Sequence, residues 1–210
     1  MRHFSFFILL LVFVSCKNKP TPVINYTGFV DRQVVLDSGL GTVSFKLPAR
    51  FDTFYKWIDW SDCFPCGWTY YKFANKKYAL LKDDYRFKVE DSAFQLTIRH
   101  KYYKEIPDSF YANTKYVFDT IRSDIGLRRE LHHDSLVQFE HPLINNRRYL
   151  VSFYRQGVSE INKFGNRLYA NAKTIFNQRY LEFIFQSDAS DTAEFFSKAY
   201  KTIQSIQIKE

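Results

Sequence analysis

The chain has 210 residues, a formal net charge of +8 at pH 7, 46% hydrophobic and 19% aromatic residues, and only seven Gly and six Pro. This supplies apolar area for an ordinary core and argues against a disordered polar chain and against a turn-dense sandwich. In a cytosolic protein the basic excess would suggest nucleic acid; in an exported one it meets anionic headgroups, lipopolysaccharide phosphates or acidic proteins first.

Export is what the first residues imply. Arg2 and His3 form a short basic start, residues 4–14 are apolar apart from Ser5, and Ser15 places a small residue directly before Cys16. The run is too short to span a bilayer as a helix, which needs roughly 20 residues, so residues 1–15 read as a cleaved signal peptide. Phe13-Val14-Ser15-Cys16 resembles the lipobox of bacterial lipoproteins. That resemblance implies that Cys16 carries a diacylglycerol thioether and an acylated amine, an anchor with enough chains to be stable. Lys17-Asn18-Lys19-Pro20 has neither an Asp after the cysteine nor an acidic cluster, which points to a periplasm-facing position. Residues 16–25, polar and holding Pro20 and Pro22, read as a tether, and residues 26–210 as a single domain.

Within that domain residues 26–36 suit a strand or extended arm, and Asp37-Ser38-Gly39-Leu40-Gly41 marks a turn. Val43, Phe45 and Leu47 alternate with Ser44 and Lys46 as in a half-buried strand that Pro48 ends. Residues 51–60 are aromatic without a clean period and leave a short helix and an irregular segment equally open. Residues 68–73 and 78–81 read as two strands turned at Asn75-Lys76. Phe94, Leu96, Ile98, His100 and Tyr102 give the clearest alternation in the chain. After Pro107 the period changes: Phe110, Thr114, Val117, Phe118, Ile121 and Ile125 share one helical face that Gly126 can end. Strands follow at 136–139, 149–154, 168–176 and 180–185, with Asn145-Asn146 and Asn177-Gln178 as hairpin turns. Asp191 and Glu194 form a capping-box-like start to a last helix with Phe196, Ala199, Tyr200, Ile203 and Ile206 as its stripe. The expected architecture is α+β: an antiparallel sheet built from hairpins, with a mid-chain helix and a C-terminal helix packed on it.

This order of elements, a strand ending at Pro48, a mid-chain helix, late hairpins and a closing helix after Tyr180-Leu181-Glu182-Phe183-Ile184-Phe185, resembles the Mog1/PsbP-like domains, including lipoproteins of the DcrB type. The closing stretch from Phe195 to Ile206 is the most family-like piece, and the order is also similar to that of small gliding-motility lipoproteins of Bacteroidota. Either resemblance implies a non-catalytic module that docks on a larger assembly and carries over no catalytic residue. The departure from the Mog1/PsbP pattern is the insert Cys63-Phe64-Pro65-Cys66.

With Cys16 acylated, Cys63 and Cys66 remain as a pair in an oxidising compartment. Thiol exchange needs a helix N-terminus or a cation to lower the attacking thiol, but Gly67-Trp68-Thr69-Tyr70-Tyr71 reads as a strand and Asp62 adjoins Cys63. A static disulfide is therefore favoured over Cys63 attacking with Cys66 resolving. Zinc would want a second Cys-x-x-Cys, which the sequence lacks. His132-His133-Asp134 with Glu140-His141 reads as solvated connection rather than a metal site, and no Gly-x-Ser-x-Gly elbow or phosphate-binding glycine loop is present. Tyr102-Tyr103-Lys104 and Arg147-Arg148-Tyr149 could stack on sugars or bases, a pattern that alternating strands also produce. The expectation is a non-enzymatic membrane-anchored lipoprotein that binds or supports an envelope protein assembly, with no cofactor, metal, nucleic acid or small-molecule substrate. A thiol-disulfide redox lipoprotein is the alternative.

Overall fold

A computed structural model describes residues 24–59, 67–75, 95–101, 119, 123, 135–157, 167–187 and 191–210. The chain opens with a hairpin of β1 (Phe29–Leu36) and β2 (Gly41–Pro48), in which Leu36 pairs with Gly41 across a turn that holds Ser38 and Gly39 at φ 60° and 66°. The expected alternation holds: Val43, Phe45 and Leu47 are buried.

Residues 51–60, left open between helix and irregular segment, instead contain strand β3 (Thr53–Asp59). Aromatic side chains on both faces, Phe54 on one and Tyr55 and Trp57 on the other, erase the period that would have shown it. β4 (Trp68–Ala74) pairs along its whole length with β3 on one side and, from Trp68 to Phe73, with β5 (Gln95–Lys101) on the other. It thus has no edge for a hairpin with residues 78–81, which lie outside the described residues. Both edges of β4 are taken by the preceding strand and by β5.

Next come β6 (Ser135–Glu140), the short hairpin β7 (Leu143–Ile144) and β8 (Arg147–Arg148), then β9 (Leu150–Arg155), β10 (Leu168–Phe176) and β11 (Arg179–Ser187). Asn145 and Asn146 have φ of 47° and 64°, and Asn177 and Gln178 have 48° and 63°. Positive φ at both central residues is the type I′ pattern whose twist suits a two-residue hairpin. Of the mid-chain helix, Asp119 and Ser123 are described; both are helical and exposed, off the apolar stripe, and the rest lies outside the described residues.

The strands form a seven-stranded antiparallel sheet in the order β3-β4-β5-β11-β10-β9-β6. Register aligns its inner face into cross-strand rows, one running Tyr71, Ile98, Phe183, Ala172, Val151 and the next Phe73, Leu96, Phe185, Ala170, Phe153. Every member of both rows belongs to the buried core. A second sheet, β1-β2 joined by β12 (Gln207–Lys209), and helix α1 (Thr192–Gln204) cover this face. Phe45 of β2 meets Phe73 edge-on at 5.4 Å, and Phe196 of α1 meets Phe153 at 4.9 Å. At ~25 cal/mol per Å², burying such aromatic pairs contributes several kcal/mol each way across the interface.

Asp191 caps α1, its carboxylate accepting from the Glu194 N–H at 2.9 Å. Only half of the capping box forms, because the Glu194 carboxylate turns to Lys198 one helical turn on. The buried stripe is Phe195, Ala199, Thr202 and Ile203, rotated from the expected one: Phe196 and Tyr200 are half-buried, and Ile206 is buried beyond the helix end. The rotation follows from what α1 packs on, since it touches β2 as well as β10 and β11 and needs a wider apolar arc than one sheet would require. Unexpected from sequence is β12, whose Ile208 pairs with Val43 of β2, with the Ser205 hydroxyl accepting from the Lys46 N–H at 2.8 Å.

Gly41 sits at φ +88°, and a Cβ there would lie 2.1 Å from the Lys209 carbonyl oxygen. Gly41→Ala is expected to cost about 2–3 kcal/mol, from the left-handed backbone and the displaced C-terminal strand together. Asp191→Ala, which removes one cap, is expected to cost about 1 kcal/mol. Urea titrations of the two variants check both the sizes and their order.

Candidate functional site

Strands β3, β4 and β5 present on their outer face the residues that alternate with the core rows. Trp57, Tyr70 and Arg99 are cross-strand neighbours in one row, flanked by Trp68 beside Lys101 on one side and by Tyr55 beside Lys72 on the other. All seven are half-buried. The Trp57 and Tyr70 rings stack at 4.9 Å with 1° between their planes. Arg99 and Lys101 lie over the Trp68 ring at 4.4 Å and 4.8 Å from its centroid. Arg99 extends the middle row to Glu182 on β11: its Nε donates to Oε2 at 2.8 Å, and its Nη2 lies 2.7 Å from the same oxygen. Burial works against the Arg99 charge, but Glu182 and Tyr70 outweigh it and hold the guanidinium above its ordinary value. Arg99 is thereby locked in place as a platform edge, and such cation–ring contacts are worth roughly 0.5–2 kcal/mol each. The result is a rigid aromatic surface with a basic rim.

The last cross-strand pair of the β3–β4 hairpin is Asp59 with Trp68, so the connection that carries Cys63 and Cys66 springs from the end of this face. Both cysteines lie outside the described residues, as does Cys16. Gly67 is irregular and β4 begins at Trp68, so no helix starts in the residues that follow Cys66. His132, His133 and Asp134 also lie outside the described residues. Glu140 accepts from the Gln138 side-chain amide and is hydrogen-bonded to Tyr200. Among the described residues no three His, Cys, Asp or Glu side chains are grouped to hold a metal ion, and no helix is long and apolar enough to cross a membrane.

Arg147 and Tyr149, which the sequence left open between stacking residues and ordinary strand alternation, serve the fold. Arg147 covers the Phe176 ring at 4.7 Å and donates to the Ile175 carbonyl at 2.7 Å, while Tyr149 is 1% exposed and its hydroxyl is pushed up by burial. Tyr102, Tyr103 and Lys104 lie outside the described residues.

On the inner side of the same strands sits a buried polar cluster that the sequence reading passed over. The Asp37 N–H, in the β1–β2 turn, donates to the Tyr71 hydroxyl at 2.7 Å, and that hydroxyl lies 3.2 Å from His100 Nε2. His100 Nδ1 is 2.9 Å from the Lys101 carbonyl oxygen. Tyr71 and His100 are each 0% exposed. Above them the Asp37 carboxylate pairs with Lys56 of β3, whose Nζ stands 5.8 Å from the Tyr71 ring centroid. Burial pushes the Tyr71 hydroxyl up to about 12, with the Asp37 N–H lowering it and the Asp37 charge raising it. The signal available in the sequence was a histidine in register with core residues: Leu96, Ile98, His100.

No family model matches the sequence, and no curated protein matches it. Among solved structures, the chain is similar to cyanobacterial PsbP (CyanoP) from Synechocystis sp. PCC 6803, with a TM-score of 0.51 and 12% identity over 85% of this chain and 92% of that one. Weaker likenesses are to PA94 from Pseudomonas aeruginosa, at TM-score 0.41 and 6% identity over 86% of this chain and 98% of that one. A protein from Bacteroides thetaiotaomicron VPI-5482 gives 0.39 and 11% over 85% of this chain and 48% of that one. At such identities the likeness is one of fold. The sheet-dominated antiparallel architecture with its closing helix is PsbP-like.

Proposed function

We propose that the protein is a non-enzymatic, membrane-anchored lipoprotein, acylated at Cys16, whose α+β domain docks through the outer face of β3, β4 and β5 on an acidic surface of an envelope protein assembly. The observation that carries this reading is the face itself: Trp57, Trp68 and Tyr70 half-buried and held by ring and cation contacts, with Lys72, Arg99 and Lys101 around them. Trp, Tyr and Arg are the residues in which binding energy concentrates: Trp and Tyr bring a large contact area with little rotamer entropy to lose, and Arg99 is already held by Glu182. The basic rim and the excess of Lys and Arg over Asp and Glu select an acidic partner and steer its approach. The reading needs no cofactor, nucleic acid or small-molecule substrate. A tether of residues 16–25 would leave the domain free to turn this face toward a partner at the membrane.

The redox alternative draws less support, since the start of β4 at Trp68 leaves Cys66 without a following helix to stabilise a thiolate. A disulfide clamping the tip of the β3–β4 connection fits the docking reading better, because it would stiffen the end of the face.

Two experiments test the proposal. A photo-crosslinking residue in place of Trp57 should capture, in intact cells, a discrete partner with an acidic surface. The adduct should weaken about tenfold or more with Lys101→Glu, and the same label at the exposed Gln33 on the far sheet should yield none. Equal adducts from both positions, or adducts to lipid alone, would contradict it. Mass spectrometry of the mature chain should show Cys16 at the amino terminus carrying a diacylglycerol thioether and an acylated amine, and Cys16→Ala should leave the membrane fraction; an unchanged mass and unchanged partition would refute the anchor.

A further inference from the structure

We propose that Tyr71 and His100 form an acid-sensitive latch that holds the β1–β2 turn against the seven-stranded sheet, and that protonation of His100 opens it. The direction of every hydrogen bond in the chain is fixed by its ends. A carbonyl oxygen can only accept, so His100 Nδ1, 2.9 Å from the Lys101 oxygen, carries the proton. The neutral ring then presents a lone pair at Nε2, and the Tyr71 O–H donates to it across 3.2 Å. That leaves the Tyr71 oxygen free to accept the Asp37 N–H at 2.7 Å, as observed. The relay joins residues 34 and 29 positions apart in sequence and ties three elements together: the β1–β2 turn, β4 and β5.

A second proton on His100 breaks this order. Nε2 becomes a donor aimed at the Tyr71 oxygen, and the Tyr71 hydroxyl proton loses its acceptor. Both side chains are fully buried, so no water is at hand to replace the lost bond. The charges facing His100 worsen the outcome: Lys56 from β3 and Arg179 from β11 repel a cation there, and Asp37 from the turn attracts it but is already paired with Lys56. Burial, the largest influence, and these cations hold the imidazole below its ordinary value, with the Lys101 carbonyl and Asp37 pulling the other way.

The sign follows. His100 binds its proton more readily when the latch is open than when it is closed, so closure is complete above the ordinary histidine value of about 6.5 and weakens as pH falls below it. What loosens is local. The turn carries Leu40, 2% exposed, and is flanked by Leu36, so opening exposes apolar surface at one end of the sandwich and leaves the β9–β10–β11 rows packed.

The test is amide exchange on the full chain between pH 7.5 and 5, corrected for intrinsic rates. Protection at the Asp37 N–H is expected to fall about tenfold or more as pH drops from above to well below the ordinary histidine value of about 6.5, while the Ala172 N–H in the sheet centre keeps its protection. His100→Gln, which retains an acceptor for Tyr71 but cannot titrate, should abolish the fall, and Tyr71→Phe should leave Asp37 unprotected at both ends of the range. Asp37 protection that does not change with pH in the wild type, or that falls equally in His100→Gln, overturns the latch. Should either variant fail to fold, the wild-type contrast between Asp37 and Ala172 still decides, since equal loss at both would mean global rather than local opening.

Discussion

Alternation along β4 and β5 is the constraint on which both the outer aromatic platform and the buried polar relay rest. Thr69, Tyr71 and Phe73 point into the core while Trp68, Tyr70 and Lys72 point out, and Leu96, Ile98 and His100 alternate in the same way with Thr97, Arg99 and Lys101. A slip of one residue would drive Tyr70 and Arg99 into the core and Tyr71 and His100 into solvent. The register is therefore held by burial on one side and produces the stacking platform on the other. The buried polar relay adds a second lock on the same register, because Tyr71 meets His100 and the Asp37 N–H only when β4, β5 and the first hairpin are aligned as they are.

Much of the fold was legible because the governing signals are local. The hairpin at Asn177-Gln178 and its flanking strands follow from the turn residues and β-branched or aromatic runs, and the cap at Asp191 follows from residue type and spacing. What escaped depends on distant partners. β3 looked aperiodic because aromatic residues line both its faces, β12 is only three residues long and exists because β2 offers an edge, and both edges of β4 are filled by β3 before it and by β5. The stripe on α1 shifted to Phe195 and Thr202 because the helix serves two sheets, which no single-face periodicity reveals.

The site was less legible than the fold, for a physical reason. Its residues come from three strands spread over positions 55–101 and from β11, and each taken alone is an ordinary outward strand residue. Only register reveals that Trp57 stacks on Tyr70 and that Arg99 bridges Trp68 and Glu182. The one visible motif, Cys63 with Cys66, marks where the platform ends rather than where chemistry happens on the proposed reading. A PsbP-like fold by itself assigns no activity, and it is the chemistry of this face that supports docking.

Oxidative footprinting of Trp57, Trp68 and Tyr70 in intact cell envelopes, set against the purified domain, tests most directly whether that face is an interface. Labelling several-fold lower in envelopes, and returning toward the purified level as salt is raised, is what a partner bound through a basic rim predicts. Equal labelling of the three rings in both preparations at low salt would show that nothing covers them and would contradict the account.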